Sequence, residues 1–335
     1  MKTFGRLLVL SLVLFAGLVG CNRQSQPAGP KRLVIAVVPK GSTHEFWKSI
    51  HAGAAKAAKE LDVDIIWKGP LKEDDREAQI KVVEDLVGRG VDGLVIAPLD
   101  DQAMRGPVNN ATRAGIAVVV VDSPLAEGAD FVSYVATDNY NGGKMAGAEL
   151  CRLLNGQGRV AMLRCAVGSA STTLREQGWS DAMAQCPGVK VVSDNQYGGV
   201  TTESSFQVSE NLISRLTNPD GTLGVEGIFC PNESSCFGML RSLQNSGFAG
   251  KVKFVGFDSS TKLIEALTAG QIDALVVQNP FNMGYLGVKN AVAHIRGQQV
   301  EKKIGTGETL VTRENMSQPA ISELLHPDLK KWLGE

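Results

Sequence analysis

The chain has 335 residues, with 34 Lys and Arg against 35 Asp and Glu, and a formal net charge of −1. That balance gives no electrostatic reason to expect nucleic acid or an anionic membrane surface as a partner. The length suffices for two domains, and no apolar run beyond residue 21 is long enough to span a bilayer.

The amino terminus places Lys2 and Arg6 ahead of the uncharged apolar run 7–20. The run is short for a membrane span and fits the core of a secretory signal. It ends in Leu18-Val19-Gly20-Cys21, which resembles the bacterial lipobox, where small residues admit the peptidase and the cysteine thiol receives lipid. Residues 1–20 are therefore expected to be a lipoprotein signal peptide, with Cys21 as the lipidated terminus. A cleaved signal that happens to contain a cysteine, or an uncleaved anchor, is the plainer alternative. Residues 21–30, with their Gln, Ser, Pro and Gly, have the composition of a flexible tether. The expected location is extracytoplasmic, in a periplasm or at a cell surface, with the lipid as the only membrane contact.

From residue 31 the chain alternates. The β-branched run 33–38 precedes a helical pattern at 46–61, where Phe46, Ile50, Ala54, Ala57 and Leu61 recur at helical spacing. Run 63–67 precedes a helix near 75–89; run 93–97 leads to a helix at 102–114, and the strand 117–122 follows. This β-α-β-α order with continuously apolar strands argues for a parallel sheet buried between helix layers. The pattern restarts with a helix at 142–154 and the strand 159–164. It continues through helix 173–185, strand 189–193, helix 202–217, strand 227–230 and helix 234–246. Strand 252–257, helix 261–269, strand 274–277 and helix 281–296 complete it. Two doubly wound lobes account for that number of strands better than one very large sheet.

Beyond Cys21 the cysteines are Cys151, Cys165, Cys186, Cys230 and Cys236. An odd number leaves at least one thiol without an internal partner, and Cys165 and Cys230 lie in apolar runs where a buried free thiol is ordinary. Cys151 with Cys186 is the first pair to test. The chain has no CxxC pair, and His44, His51, His294 and His326 do not flank the cysteines at zinc-site spacing, so no metal site is expected. Cofactors are not expected either. A Gly-x-Ser-x-Gly elbow, a His-Glu-x-x-His helix and a Walker loop are all absent, which speaks against an enzyme. Gly156-Gln157-Gly158 mimics a dinucleotide fingerprint, but it precedes a strand instead of following one.

Parallel sheets place ligand groups at the carboxyl ends of their strands. Here those ends carry Asp122-Ser123, Asn232-Glu233, Phe257-Asp258 and Gln278-Asn279, while the first strand runs into Pro39-Lys40 with His44, Phe46 and Trp47 close behind. Each has a bland reading, since an Asx after a strand is commonly a turn or helix cap and an aromatic opening a helix is commonly core. Together they offer carboxylates and amides for hydroxyls, and flat aromatic faces for the C–H surface of a sugar ring.

These segments, with Thr137-Asp138-Asn139, Gly142-Gly143 and Val255-Gly256-Phe257-Asp258, resemble the periplasmic ribose- and galactose-binding family. That is the type I fold shared with the ligand domains of LacI-type repressors. The resemblance implies a solute-binding lipoprotein of an ABC importer, monomeric, which takes a monosaccharide in an interlobe cleft and docks on permease subunits. It implies three hinge crossings, a first lobe of residues 31–137 with 279–307, and a second of 138–278 with 308–335. It puts Phe46 and Trp47 beside the sugar ring, and Asp122, Asn232, Asp258 and Gln278 on its hydroxyls.

Departures from the pattern matter too. Ribose binders carry a clamping arginine at the position of Thr173 here, and Arg175 matches a neighbouring arginine that is either a contact or structural. His44 replaces the family's asparagine, and Ser123 replaces an arginine. These changes speak against ribose itself. Pro39-Lys40 and Asp122-Ser123 also resemble the rhamnose- or furanosyl-autoinducer-binding branch, which places Lys40 and Asp122 in its site. However, Arg175-Glu176 stands where the autoinducer binders have an acidic-amide pair. A receptor feeding a sensor kinase or chemoreceptor is the alternative reading. A LacI-type regulator core is disfavoured, because a signal sequence stands where its helix-turn-helix would be. The tail 316–335 reads as a helix packed on the outside.

Overall fold

The structure, a computed structural model, describes residues 31–334. The signal sequence, Cys21 and the tether lie outside the described residues. In chain order the first part comprises β1 (Val34–Val38), α1 (Glu45–Leu61), β2 (Asp64–Trp67), α2 (Arg76–Gly88), β3 (Gly93–Ile96), α3 (Arg105–Arg113), β4 (Ala117–Val121) and β5 (Ser133–Ala136). The middle comprises α4 (Asn139–Leu153), β6 (Gly158–Arg164), α5 (Ala170–Ala184), β7 (Val189–Tyr197), α6 (Thr202–Leu216), β8 (Gly227–Phe229), α7 (Glu233–Asn245), β9 (Lys253–Phe257), α8 (Thr261–Thr268) and β10 (Ala274–Gln278). The last part comprises α9 (Pro280–Ile295), β11 (Lys303–Gly305), β12 (Glu308–Thr312), α10 (Pro319–Leu325) and α11 (Leu329–Leu333).

The strands form two six-stranded sheets, ordered β11-β5-β4-β3-β1-β2 and β12-β10-β9-β8-β6-β7. Strand for strand the two orders correspond, so β4 of one lobe matches β9 of the other. All pairings are parallel except β10 with β12. The chain leaves the first sheet after β5, returns after β10, and crosses again between β11 and β12.

Alternation on the strands explains their unbroken apolar runs. Ile35 and Val37 pack into one core layer of the first lobe while Ala36 and Val38 pack into the other. Val119 and Val121 divide from Val118 and Val120 in the same way. Both faces are covered by helices, so neither set of side chains meets water. Helix pairs α1–α9 and α4–α5 form the corresponding outer contacts of the two lobes. A disulfide joins Cys151 to Cys186 and ties the end of α4 to the turn after α5, while Cys165, Cys230 and Cys236 are buried free thiols.

The tail differs from the single helix expected. It makes two short helices, interrupted where Pro327 disfavours helical backbone at His326 and Asp328 caps the second by accepting from Lys331 N. Leu325 joins the second lobe's core, whereas α11 packs on α1 of the first lobe.

Candidate functional site

The carboxyl ends of both sheets face each other across the cleft. Asp122 follows β4 with φ 63° and Asp258 follows β9 with φ 71°. Left-handed backbone is uncommon outside glycine and is tolerated best by Asp and Asn. The same strained position thus recurs at matching strands of the two lobes, which is where strain tends to mark function.

Lys40, after β1, is 4% exposed. Its Nζ lies 2.7 Å from Asp122 Oδ2 and donates to Ser123 Oγ at 2.6 Å and to Ser171 Oγ of the other lobe at 3.0 Å. Asp122 Oδ2 makes this ion pair without a hydrogen bond of good geometry. Opposite, Asp258 Oδ1 accepts from Gln278 Nε2 at 2.6 Å and Oδ2 accepts from Glu233 N at 3.0 Å, with Arg175 Nη1 3.8 Å away. Burial pushes the Asp258 carboxyl up, with the Arg175 charge opposing it. Gln278 Oε1 is buried without a partner, an acceptor that a ligand hydroxyl could satisfy.

Arg175 has the structural role among the two readings left open for it, and it stands where a contact could also be made. Its Nε donates to Asn139 Oδ1 at 2.8 Å and its Nη1 to Pro231 O at 2.9 Å, and the guanidinium lies 4.0 Å from the Phe257 ring centroid. It also lines the cavity. Asn232 lines the cavity as well, while its side chain accepts from Ser235 N and caps α7. Phe46 and Trp47 meet edge to face at 4.9 Å and reach the cavity from the first lobe's core.

Two expected residues stand elsewhere. Thr173 is exposed and does not line the cavity, because the buried face of α5 runs through Ser171, Thr172, Arg175 and Glu176 at helical spacing. Ser123 supports Lys40 and the backbone of Ser171 from behind and does not line the cavity. Four lining residues are not among the strand ends: Glu73, Ser169, Ser171 and Thr172. Glu233 belongs to the strand end Asn232-Glu233 already singled out, and the structure adds it to the lining. Glu73 lies in the loop after β2 and has no such marker.

Glu73 Oε1 accepts from Trp47 Nε1 at 2.7 Å and pairs with His44 Nδ1 at 2.8 Å. Burial alone would lower the His44 pKa, but the bond and charge of Glu73, with Glu233 and Asp258 behind it, raise it from 6.5 to about 9. Glu73 is correspondingly lowered, its own burial outweighed by His44. Burial pushes Glu233 up to about 7, against the charge of His44.

A raised histidine binds its proton more tightly in the fold. Its stabilisation is therefore complete below pH 6.5 and lost as pH climbs through about 9. The native protein should lose about 3 kcal/mol more than a His44→Asn variant between neutral pH and about pH 10, read by urea unfolding. Equal losses would refute the pair's contribution.

The lobes are shut in this structure, and the cavity among these groups measures about 30 Å³. That is room for about one water.

The periplasmic binding protein domain matches residues 35–299. The chain belongs to the periplasmic binding protein family. Within that family it is 30% identical to the D-ribose/D-allose-binding protein of Pseudomonas aeruginosa over 290 residues, 84% of this chain and 88% of that one. It is 29% identical to the D-allose-binding periplasmic protein of Escherichia coli over 261 residues, 76% of this chain and 82% of that one. An ABC transporter solute-binding protein from Agrobacterium vitis, bound with alpha-D-tagatopyranose, superposes with a TM-score of 0.82 at 30% identity, covering 89% of this chain and 100% of that one. A second from the same species, with bound D-fucose, gives a TM-score of 0.83 at 29% identity over 88% and 100%. These relatives are sugar-binding and transporter proteins, not enzymes.

Proposed function

We propose that this protein binds a monosaccharide between its lobes and presents it to the permease subunits of an ABC importer. The observation that carries this reading is the convergence of acceptors and aromatics from both lobes on one cleft: Asp122, Phe46 and Trp47 from one side, Asp258 and Gln278 from the other. Each cation of the lining has a carboxylate at hand, Lys40 with Asp122, His44 with Glu73 and Arg175 with Asp258. A phosphate or carboxylate on the ligand would meet surplus negative charge, so an uncharged polyhydroxyl ring suits the site best. Binding only the folded protein must raise its stability. A thermal-shift panel of D-ribose, D-allose, D-tagatose and D-fucose should therefore contain at least one stabilising sugar, and a panel that shifts nothing speaks against the reading.

The same proposal includes a lipid at Cys21 and a monomer that works outside the cytoplasm. It rests on the order of basic region, apolar run and lipobox. Mass spectrometry of membrane-extracted protein should find a diacylglyceryl group on Cys21, absent in Cys21→Ser; an unmodified protein that starts elsewhere would contradict it.

A further inference from the structure

Helix amino termini expose N–H groups that need acceptors. Helices α2, α4, α6, α7 and α9 supply their own, through the side chains of Asp75, Asp138, Thr201, Asn232 and Asn279. Helices α1, α5 and α8 begin at the cleft, and their N-cap residues His44, Ser169 and Ser260 make no side-chain cap.

In each case the acceptor comes from the other lobe. Glu233 of the second lobe accepts from Glu45 N at 3.3 Å and Phe46 N at 3.2 Å, at the start of α1. Glu45 of the first lobe accepts from Thr261 N at 3.0 Å and from Thr261 Oγ1 at 3.1 Å, at the start of α8. Ser123 of the first lobe accepts from Ser171 N at 3.2 Å, at the start of α5. The bonds close a circuit: Asp258 holds Glu233 N, Glu233 holds α1, and Glu45 at the head of α1 holds the α8 turn that follows Asp258.

We propose that Glu45 and Glu233, helped by Ser123, form a cross-lobe capping clasp that stabilises the closed state independently of bound sugar. Opening the lobes removes the acceptors from three helix termini at once, and these termini have no local substitute of their own. A carboxylate at a helix amino terminus also gains from the helix dipole. Glu45 is the informative member, because it does not line the ligand cavity whereas Glu233 does. It is a positioning residue that acts on affinity only through closure. The proposal rests on the two-lobed hinge and is indifferent to which sugar is bound.

The test uses spin labels on Leu71→Cys and Val167→Cys in the full-length protein. These side chains are 67% and 72% exposed, one on each lobe, and the described free thiols are buried. Pulsed dipolar spectroscopy without sugar should show a short-distance, closed population. Glu45→Ala and Glu233→Ala should each reduce its ratio to the open form by about fivefold, the weight of one cap. Glu77→Ala, which removes a first-turn acid of α2, should leave it unchanged.

With the panel sugar that binds best, Glu45→Ala should raise the off-rate by about the same factor, with little change in the on-rate. A native protein with no closed population, or Glu45→Ala and Glu233→Ala variants with native distance distributions and off-rates, would overturn the clasp. A closed population that Glu45→Ala depletes, in a protein that binds no sugar of the panel, would support the clasp and overturn the monosaccharide reading instead.

Discussion

Replacing Asp122 by Asn should weaken sugar binding by about a hundredfold. An ionised acceptor contributes roughly 1.5–3 kcal/mol per hydrogen bond to a ligand hydroxyl, and about 2.7 kcal/mol corresponds to that factor. Asn fits the left-handed backbone at this position, so geometry should survive. Stability should not, because Lys40 would be left buried without its partner 2.7 Å away. A second substitution, read against Lys40→Met alone because Lys40 also lines the cavity, separates the two effects. Adding Lys40→Met removes the stranded charge and should restore most of the melting temperature, while affinity measured by calorimetry stays low. Affinity that returned together with stability would mean that Asp122 acts only by holding Lys40.

Gly143→Ala should be among the most damaging single methyl additions in the protein. A Cβ built at Gly143 would lie 2.0 Å from the carbonyl oxygen of Arg175, and one at Gly178 would lie 2.1 Å from that of Tyr140. Helices α4 and α5 therefore touch backbone to backbone, and neither obstacle is a side chain that could turn away. Separating the helices should cost about 3 kcal/mol or more and should also displace Arg175 from Asn139 and Pro231, so sugar binding should fall with stability. Gly88→Ala is the control: nothing lies within 4 Å of that site in α2, and the helix should gain up to about 1 kcal/mol. A Gly143→Ala protein that unfolds at the native urea concentration would contradict this packing.

What the sequence reveals follows from where burial acts. The strands covered on both faces, such as β4 and β9, read as continuous apolar runs, and the residues just beyond them fall in the cleft. Strands at or near the β11 and β12 edges do not advertise themselves, although the opposite edges β2 and β7 read as strands. β11 (KIG) and β12 (ETLVT) are half-exposed and carry neither an apolar run nor a clean alternation. β5 is mostly buried, but with four residues and Ser133 at its head its apolar run is too short to stand out. Thr173 was placed by resemblance to a clamping arginine, yet helical phase gives the buried face to Ser171, Thr172 and Arg175. Glu73 could not be found from strand ends, because its position depends on how the loop after β2 folds back over Trp47. The cross-lobe caps are invisible in sequence, since each joins residues separated by at least 48 positions.

A crystal structure of the complex with the panel sugar that stabilises the protein most tests the central claim directly. The ring should lie between the lobes, with its C–H face toward Phe46 and Trp47 and hydroxyls on Asp122, Asp258 and the free oxygen of Gln278. A cavity of about 320 Å³ lies on the far side of Phe46 and Gln278, between α1, α8 and the tail. Sugar found there, or anywhere that leaves Asp122 and Asp258 without a ligand contact, would contradict the account.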